Sequence, residues 1–195
     1  MGSLWLTGTN INPNIGTTDF TMSNTWFGVW ADQANIEVNN TKMYDTRTGI
    51  YTQDATNKVG RMYDNEIRTW RTGINLYMTG QAVDMHIHEN DIYLDANTPF
   101  SYGIKVNEYG ITPNLNIEHN NIEITNGGFG ISTLSASLSS IIANTITMNT
   151  NNIYTALGIS VTGADGTQVE CNDVSNMNAN GYSIIVAFKD RKSVV

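Results

Sequence analysis

One cysteine, Cys171, stands in 195 residues, so no intramolecular disulfide can form and an oxidising compartment is neither required nor excluded. Charge is scarce as well. Asp, Glu, Lys and Arg make up 14% of the chain, which leaves solubility to neutral polar groups. The charge that is present leans acidic, at −8 overall. That balance excludes a general nucleic-acid partner, whose electrostatic attraction needs a basic footprint. From Val106 to Phe188 there is no lysine or arginine. No apolar run approaches the ~18 residues of a membrane span. The opening Met1-Gly2-Ser3-Leu4-Trp5-Leu6 lacks the basic start and apolar stretch of a signal peptide. It reads as a cloning remnant leading directly into a strand.

Apolar residues reach 40%, enough for a packed core. Asn (26) and Thr (24) outnumber every apolar type, the most frequent of which is Ile (21). Those three fit short strands with β-branched cores and Asn-rich turns. They fit helices poorly, because Asn, Thr and Gly are weak helix formers. The length suits one domain.

A repeat decides the fold. With an Asn as anchor, the chain lines up on Asn39, Asn65, Asn90, Asn120, Asn144 and Asn172. Three residues before each anchor stand Ile36, Met62, Ile87, Ile117, Ile141 and Val169. Two after it stand Thr41, Ile67, Ile92, Ile122, Ile146 and Val174. Farther on a Gly-Ile pair recurs, at Gly49-Ile50, Gly73-Ile74, Gly103-Ile104, Gly130-Ile131 and Gly158-Ile159, with Gly181 to Ile184 in the last copy. A fainter first copy has Ile15, Thr18, Phe20, Met22 and Gly28-Val29.

Around each anchor apolar and polar residues alternate, as in Leu115 to Ile124. A period of two makes strands with one face in and one face out. The anchor Asn is expected to take the left-handed bend between two strands, and the Gly to free a second corner. Stacked copies place like above like, so the two apolar series become buried columns and the Asn side chains hydrogen-bond along the stack. An antiparallel sandwich also has short alternating strands, but it does not require one register repeated throughout. The expectation is an all-β, right-handed parallel β-helix of about seven coils. It forms a single domain over 1–195, with 1–13 a partial first coil or remnant and 187–195 a tail. Neither end shows a capping helix, which suggests a fragment of a longer chain or ends that stack on something else.

The segments Asn116 to Ser132 and Val169 to Ile184 resemble coils of the pectate-lyase-like superfamily of right-handed parallel β-helix proteins, in its bacterial secreted members. The resemblance covers about Ile15 to Val186. It implies a secreted or cell-surface bacterial protein with a polysaccharide as partner. It does not imply one activity, since that superfamily mixes lyases, glycosidases, esterases, adhesins and stalks. Its lyases pair a calcium-binding acidic cluster with a Lys or Arg base, and its polygalacturonase-like members use three close aspartates. The present register brings no such trio together. Asp45, Asp54 and Asp84 fall in separate loops, and Asp64 and Asp91 follow other offsets.

The outward positions beside the anchors give a candidate glycan patch of Lys42, Arg61, Tyr63, Arg68, His86, His88, Tyr93 and Glu118. His86 and His88 share a face about 7 Å apart, from a rise of ~3.3 Å per residue. Stacking sets Tyr63 and Glu118 beside His88, and Arg61 and Asn116 beside His86. The cations would pair with uronate carboxylates, and a His or Tyr would remove the adjacent proton. The competing reading is a solvated face of mutually offset charges. Tyr63, Trp70, Tyr93 and Tyr102 offer rings for sugars, although Trp70 and Tyr102 stand close before Gly-Ile and suit covering a corner. No cofactor is implied, and His86, His88 and Glu118 are a weak metal set. The functional expectation is a non-catalytic module: a spacer, adhesin or glycan-binding segment. The alternative is an enzyme cleaving acidic polysaccharide by β-elimination.

Overall fold

Alternation of β-branched and polar residues produces only strands, bends and turns among the residues that the computed structural model describes. These are 4–7, 14–15, 20–54, 59–78, 84–95, 98, 100–108, 115–135, 139–149, 156–164, 166–176 and 182–188. All strand pairings are parallel. The chain is a parallel β-helix with three strands per coil. One sheet of seven strands runs from Asn14–Ile15 to Gln168–Glu170 and forms the first face. A 13-stranded sheet supplies the other two. It is continuous because two long strands, Thr41–Gln53 and Glu66–Met78, pass through both the second face and the third. In later coils the second and third strands separate, as in Asp91–Asp95 and Tyr102–Glu108.

The buried columns follow the repeat, with one correction. Met62, Ile87, Ile117, Ile141 and Val169 stack in register, but the residue beside Met62 is Val38, and Ile36 pairs with Gly60. Likewise Ile67 is met by Met43, not by Thr41. The first anchor is therefore Thr41 in place of Asn39. A second correction concerns the bend. The left-handed residue is the one before the anchor: Asn40, Asp64, Glu89, His119, Ala143 and Cys171 have φ between 48° and 55°.

The anchor Asn serves instead through its side chain. Each carboxamide nitrogen donates at 2.9 Å to the next coil's carboxamide oxygen, from Asn65 through Asn90, Asn120 and Asn144 to Asn172. The same oxygens accept backbone N–H groups one coil back, beginning with Thr41 to Asn65 at 3.1 Å. This asparagine ladder satisfies polar groups that would otherwise be buried unpaired.

The Gly-Ile glycines also differ from expectation. None of them adopts a left-handed φ. A Cβ on Gly103 would instead lie 2.6 Å from the Gly130 carbonyl oxygen and 2.5 Å from Ile122. Close packing between coils, not a backbone corner, requires glycine there.

The fully closed stack is about five coils, shorter than the seven expected. In the outermost described coil the inward residues have a neighbour on one side only. Val169 and Val174 are partly buried and Ile184 is 46% exposed, whereas Ile117 and Ile122 are fully covered. At the two ends, Leu4–Thr7 is a strand on the third face, and Ala187 and Phe188 complete the last strand, Tyr182–Phe188. The rest of the expected tail, Thr18, and the basic run at 189–192 lie outside the described residues.

Candidate functional site

The eight residues of the expected patch lie on two faces separated by the ladder bend. On the first face, register places Arg61 beside His86 and Tyr63 beside His88, with Asn116 and Glu118 on the following coil. The Tyr63 and His88 rings stack at 5.1 Å. Lys42, Arg68 and Tyr93 belong to the second face. Correction of the first anchor moves Lys42 one column over, opposite Glu66, and brings Tyr44 beside Arg68.

Both arginines of the patch are already engaged by carboxylates. Arg61 forms an ion pair with Asp84, whose other oxygen lies 2.9 Å from His86 Nε2. Asp84 is not in a loop: it opens the strand Asp84–His88. Burial pushes its carboxyl up, but the Arg61 hydrogen bond and charge, aided by His86, outweigh that and hold it below the ordinary carboxylate value. His86 continues to the Asn116 amide at 3.2 Å, and Ser140 donates to Asn116 at 2.7 Å. His88 contacts Glu89 at 3.2 Å. Tyr63 donates to Glu37 at 2.8 Å, which raises the phenol pKa and makes Tyr63 a poor base. Arg68 is bound to Glu66 at 2.9 Å and lies between the Tyr44 and Tyr93 rings, 5.5 and 5.0 Å from their centres. Among the described residues no three His, Cys, Asp or Glu side chains converge as a metal site requires.

The third face differs. Register aligns Phe27, Thr48, Thr72 and Tyr102 in one outward row, and Tyr51, Asn75 and Lys105 in the next. Two small threonines between two large rings leave a hollow of about 450 Å³. Arg47, Arg71 and Lys105 line it, and no lining residue is an acid. Among the described residues, none of the three forms an ion pair with a carboxylate. Arg47 is held by cation–π contact 4.6 Å from the centre of Trp26 and 5.9 Å from that of Trp70. Lys105 sits 4.5 Å over Tyr102, which stacks on Phe129. Burial, and then the charge of Arg71, depress the Lys105 pKa. Asn75, which lines the same hollow, has a buried side-chain oxygen with no hydrogen-bond partner. The half-buried cations, unpaired acceptor and exposed ring of Phe100 suit a carboxylate that also carries hydroxyls.

Sequence reasoning named Tyr102 here and missed the rest. The signal was present: Arg47-Thr48-Gly49-Ile50 and Arg71-Thr72-Gly73-Ile74 are the same tetrapeptide, one coil apart. Aligning on Gly-Ile alone passed over the arginine. A second hollow, about 480 Å³, lies across Trp70 on the second face, lined by Arg68, Trp70 and Tyr93 together with Asp45, Asp95 and Glu123. Comparison with protein-family models, curated proteins and solved structures finds no match to this chain.

Proposed function

We propose that the chain is a non-catalytic, secreted or cell-surface module that binds an acidic polysaccharide in the hollow of Arg47, Arg71 and Lys105. The observation that carries this reading is the concentration of three cations without a partner carboxylate among the described residues, in a chain of net charge −8. A solvated structural face offsets its charges, as the first face does. Maintaining half-buried like charges beside one another costs stability, and an anionic ligand offsets that cost. The aromatic walls favour a sugar acid over a bare phosphate or sulfate, since rings stack on the apolar faces of pyranoses. The resemblance to the pectate-lyase-like superfamily supports a polysaccharide and an extracellular setting.

Calorimetric titration of the protein with uronate oligomers at low salt tests this. Saturable binding that weakens with salt is expected, reduced about tenfold or more by Arg71→Gln, in line with the ~1.5–3 kcal/mol of a hydrogen bond to a charged group. Equal binding by the variant, or a preference for inorganic sulfate over uronate, contradicts it.

One observation favours a second reading, β-elimination. Lys105 is an amine with a depressed pKa beside an arginine, as a base next to a carboxylate clamp would be. Growth of the absorbance of an unsaturated uronate during the same titration, abolished by Lys105→Gln, selects it.

A further inference from the structure

We infer that the sugar next to the acidic one lies across Trp70, in the second hollow, and carries no acid group of its own. This rests on the acidic-polysaccharide reading and adds the composition of the ligand. Consecutive residues of one strand serve the two hollows: Arg71 lines the cationic one and Trp70 the other. Arg47 packs against Trp26 and Trp70, so the wall between them is a ring–guanidinium–ring stack, with Trp26 65% and Trp70 39% exposed. An exposed indole at a corner between two hollows is a stacking platform for a pyranose crossing it.

Charge then assigns the sugars. The first hollow holds three cations and no acid. The second is lined by Asp45, Asp95 and Glu123 against one cation, Arg68, which Glu66 already engages. Asp95 is oriented by Thr125 at 3.0 Å and Glu123 by Asn149 at 3.1 Å, so both carboxylates are set to accept from hydroxyl or amide donors. A second uronate there would face like charge, whereas a neutral or amino-bearing sugar supplies donors. The two hollows together therefore select an acidic residue followed by a non-acidic one and disfavour a homopolymer of uronates.

The test uses matched tetrasaccharides: all-galacturonate against galacturonate alternating with a neutral deoxyhexose, and all-glucuronate against glucuronate alternating with an N-acetylhexosamine. In a series that binds, the alternating member is expected to bind about tenfold tighter or more, the range of a few well-placed contacts. Trp70→Ala should remove that advantage, over and above any loss common to both members that follows from loosening Arg47. Asp95→Asn with Glu123→Gln should raise affinity for the all-uronate member, which a merely structural role for these acids would not do. Equal or tighter binding of the homopolymer, or equal loss for every probe in Trp70→Ala, overturns this inference and leaves the acidic-glycan reading standing. No binding by any uronate overturns both.

Discussion

The Thr133 hydroxyl lies in the core of the third face, fully covered and with no hydrogen-bond partner, among Ile131, Val106 and Val161. Threonine and valine have nearly the same shape, so Thr133→Val removes an unsatisfied polar group without opening a cavity. A gain of about 1–2 kcal/mol is expected, read as a higher urea midpoint at unchanged slope, given the ~1–3 kcal/mol cost of such groups. Lys105 carries a different penalty. Its charged form is disfavoured first by burial and then by Arg71, so its folded pKa lies below the ordinary 10.5. Below the folded pKa the lysine is charged in both states and the penalty is complete. As the pH rises from the folded value toward 10.5 the penalty disappears. Lys105→Met should therefore stabilise the free protein at neutral pH, and the advantage should shrink through that alkaline window. A pH-independent advantage would show that apolar packing, not charge, is its origin. The same residue that weakens the free fold should strengthen the complex, because a bound carboxylate compensates its half-buried charge.

At the scale of the coil, the bends are held by the ladder. Asn120 accepts from Asn90 through both backbone and side chain and donates to Asn144 and to the Ile87 carbonyl. Its neighbour Asn121 is exposed, and its side chain donates to Asp91. Asn120→Ala strands buried donors on Asn90 and should cost about 2–4 kcal/mol, while Asn121→Ala should stay within about 0.5 kcal/mol. Equal urea midpoints for the two variants would contradict the ladder's role. The coil is also where the sequence was most legible and where it misled. Ile, Val and Met at a fixed offset from Asn gave the strands, the parallel stacking and most of the columns. The slip at Asn39 follows from the period itself. Ile36, Val38, Thr41 and Met43 are all buried, and an alternation of two cannot distinguish a register from one shifted by two. The ladder also needs only a backbone N–H from its first member, which Thr41 provides as well as any Asn. The glycines were misassigned because a Cβ clash with the next coil is a property of the stack and leaves no local pattern.

Over the whole molecule, each coil contacts only its neighbours, so the fold provides three long outward faces whose chemistry varies independently of the core. The candidate site shows the consequence. Cations on the first and second faces were visible as outward positions, but whether each had a partner depended on side-chain geometry within the strand and on the coil beside it. Asp84 on the next coil reaches Arg61, and Glu66, two residues earlier in its own strand, reaches Arg68, whereas Thr48 and Thr72 leave Arg47 and Arg71 facing an open hollow. The most direct measurement compares two triple variants in titrations with a uronate oligomer at low salt. Arg47, Arg71 and Lys105 are changed to Gln in one, and Lys42, Arg61 and Arg68 in the other. Each loses three positive charges, so the long-range field changes equally and any difference belongs to the local site. Circular dichroism and urea unfolding establish that both remain folded. The account predicts that the first variant loses saturable binding and that the second keeps it within about threefold, the residue of the altered field. Loss in the second with retention in the first, or equal loss in both, would contradict it.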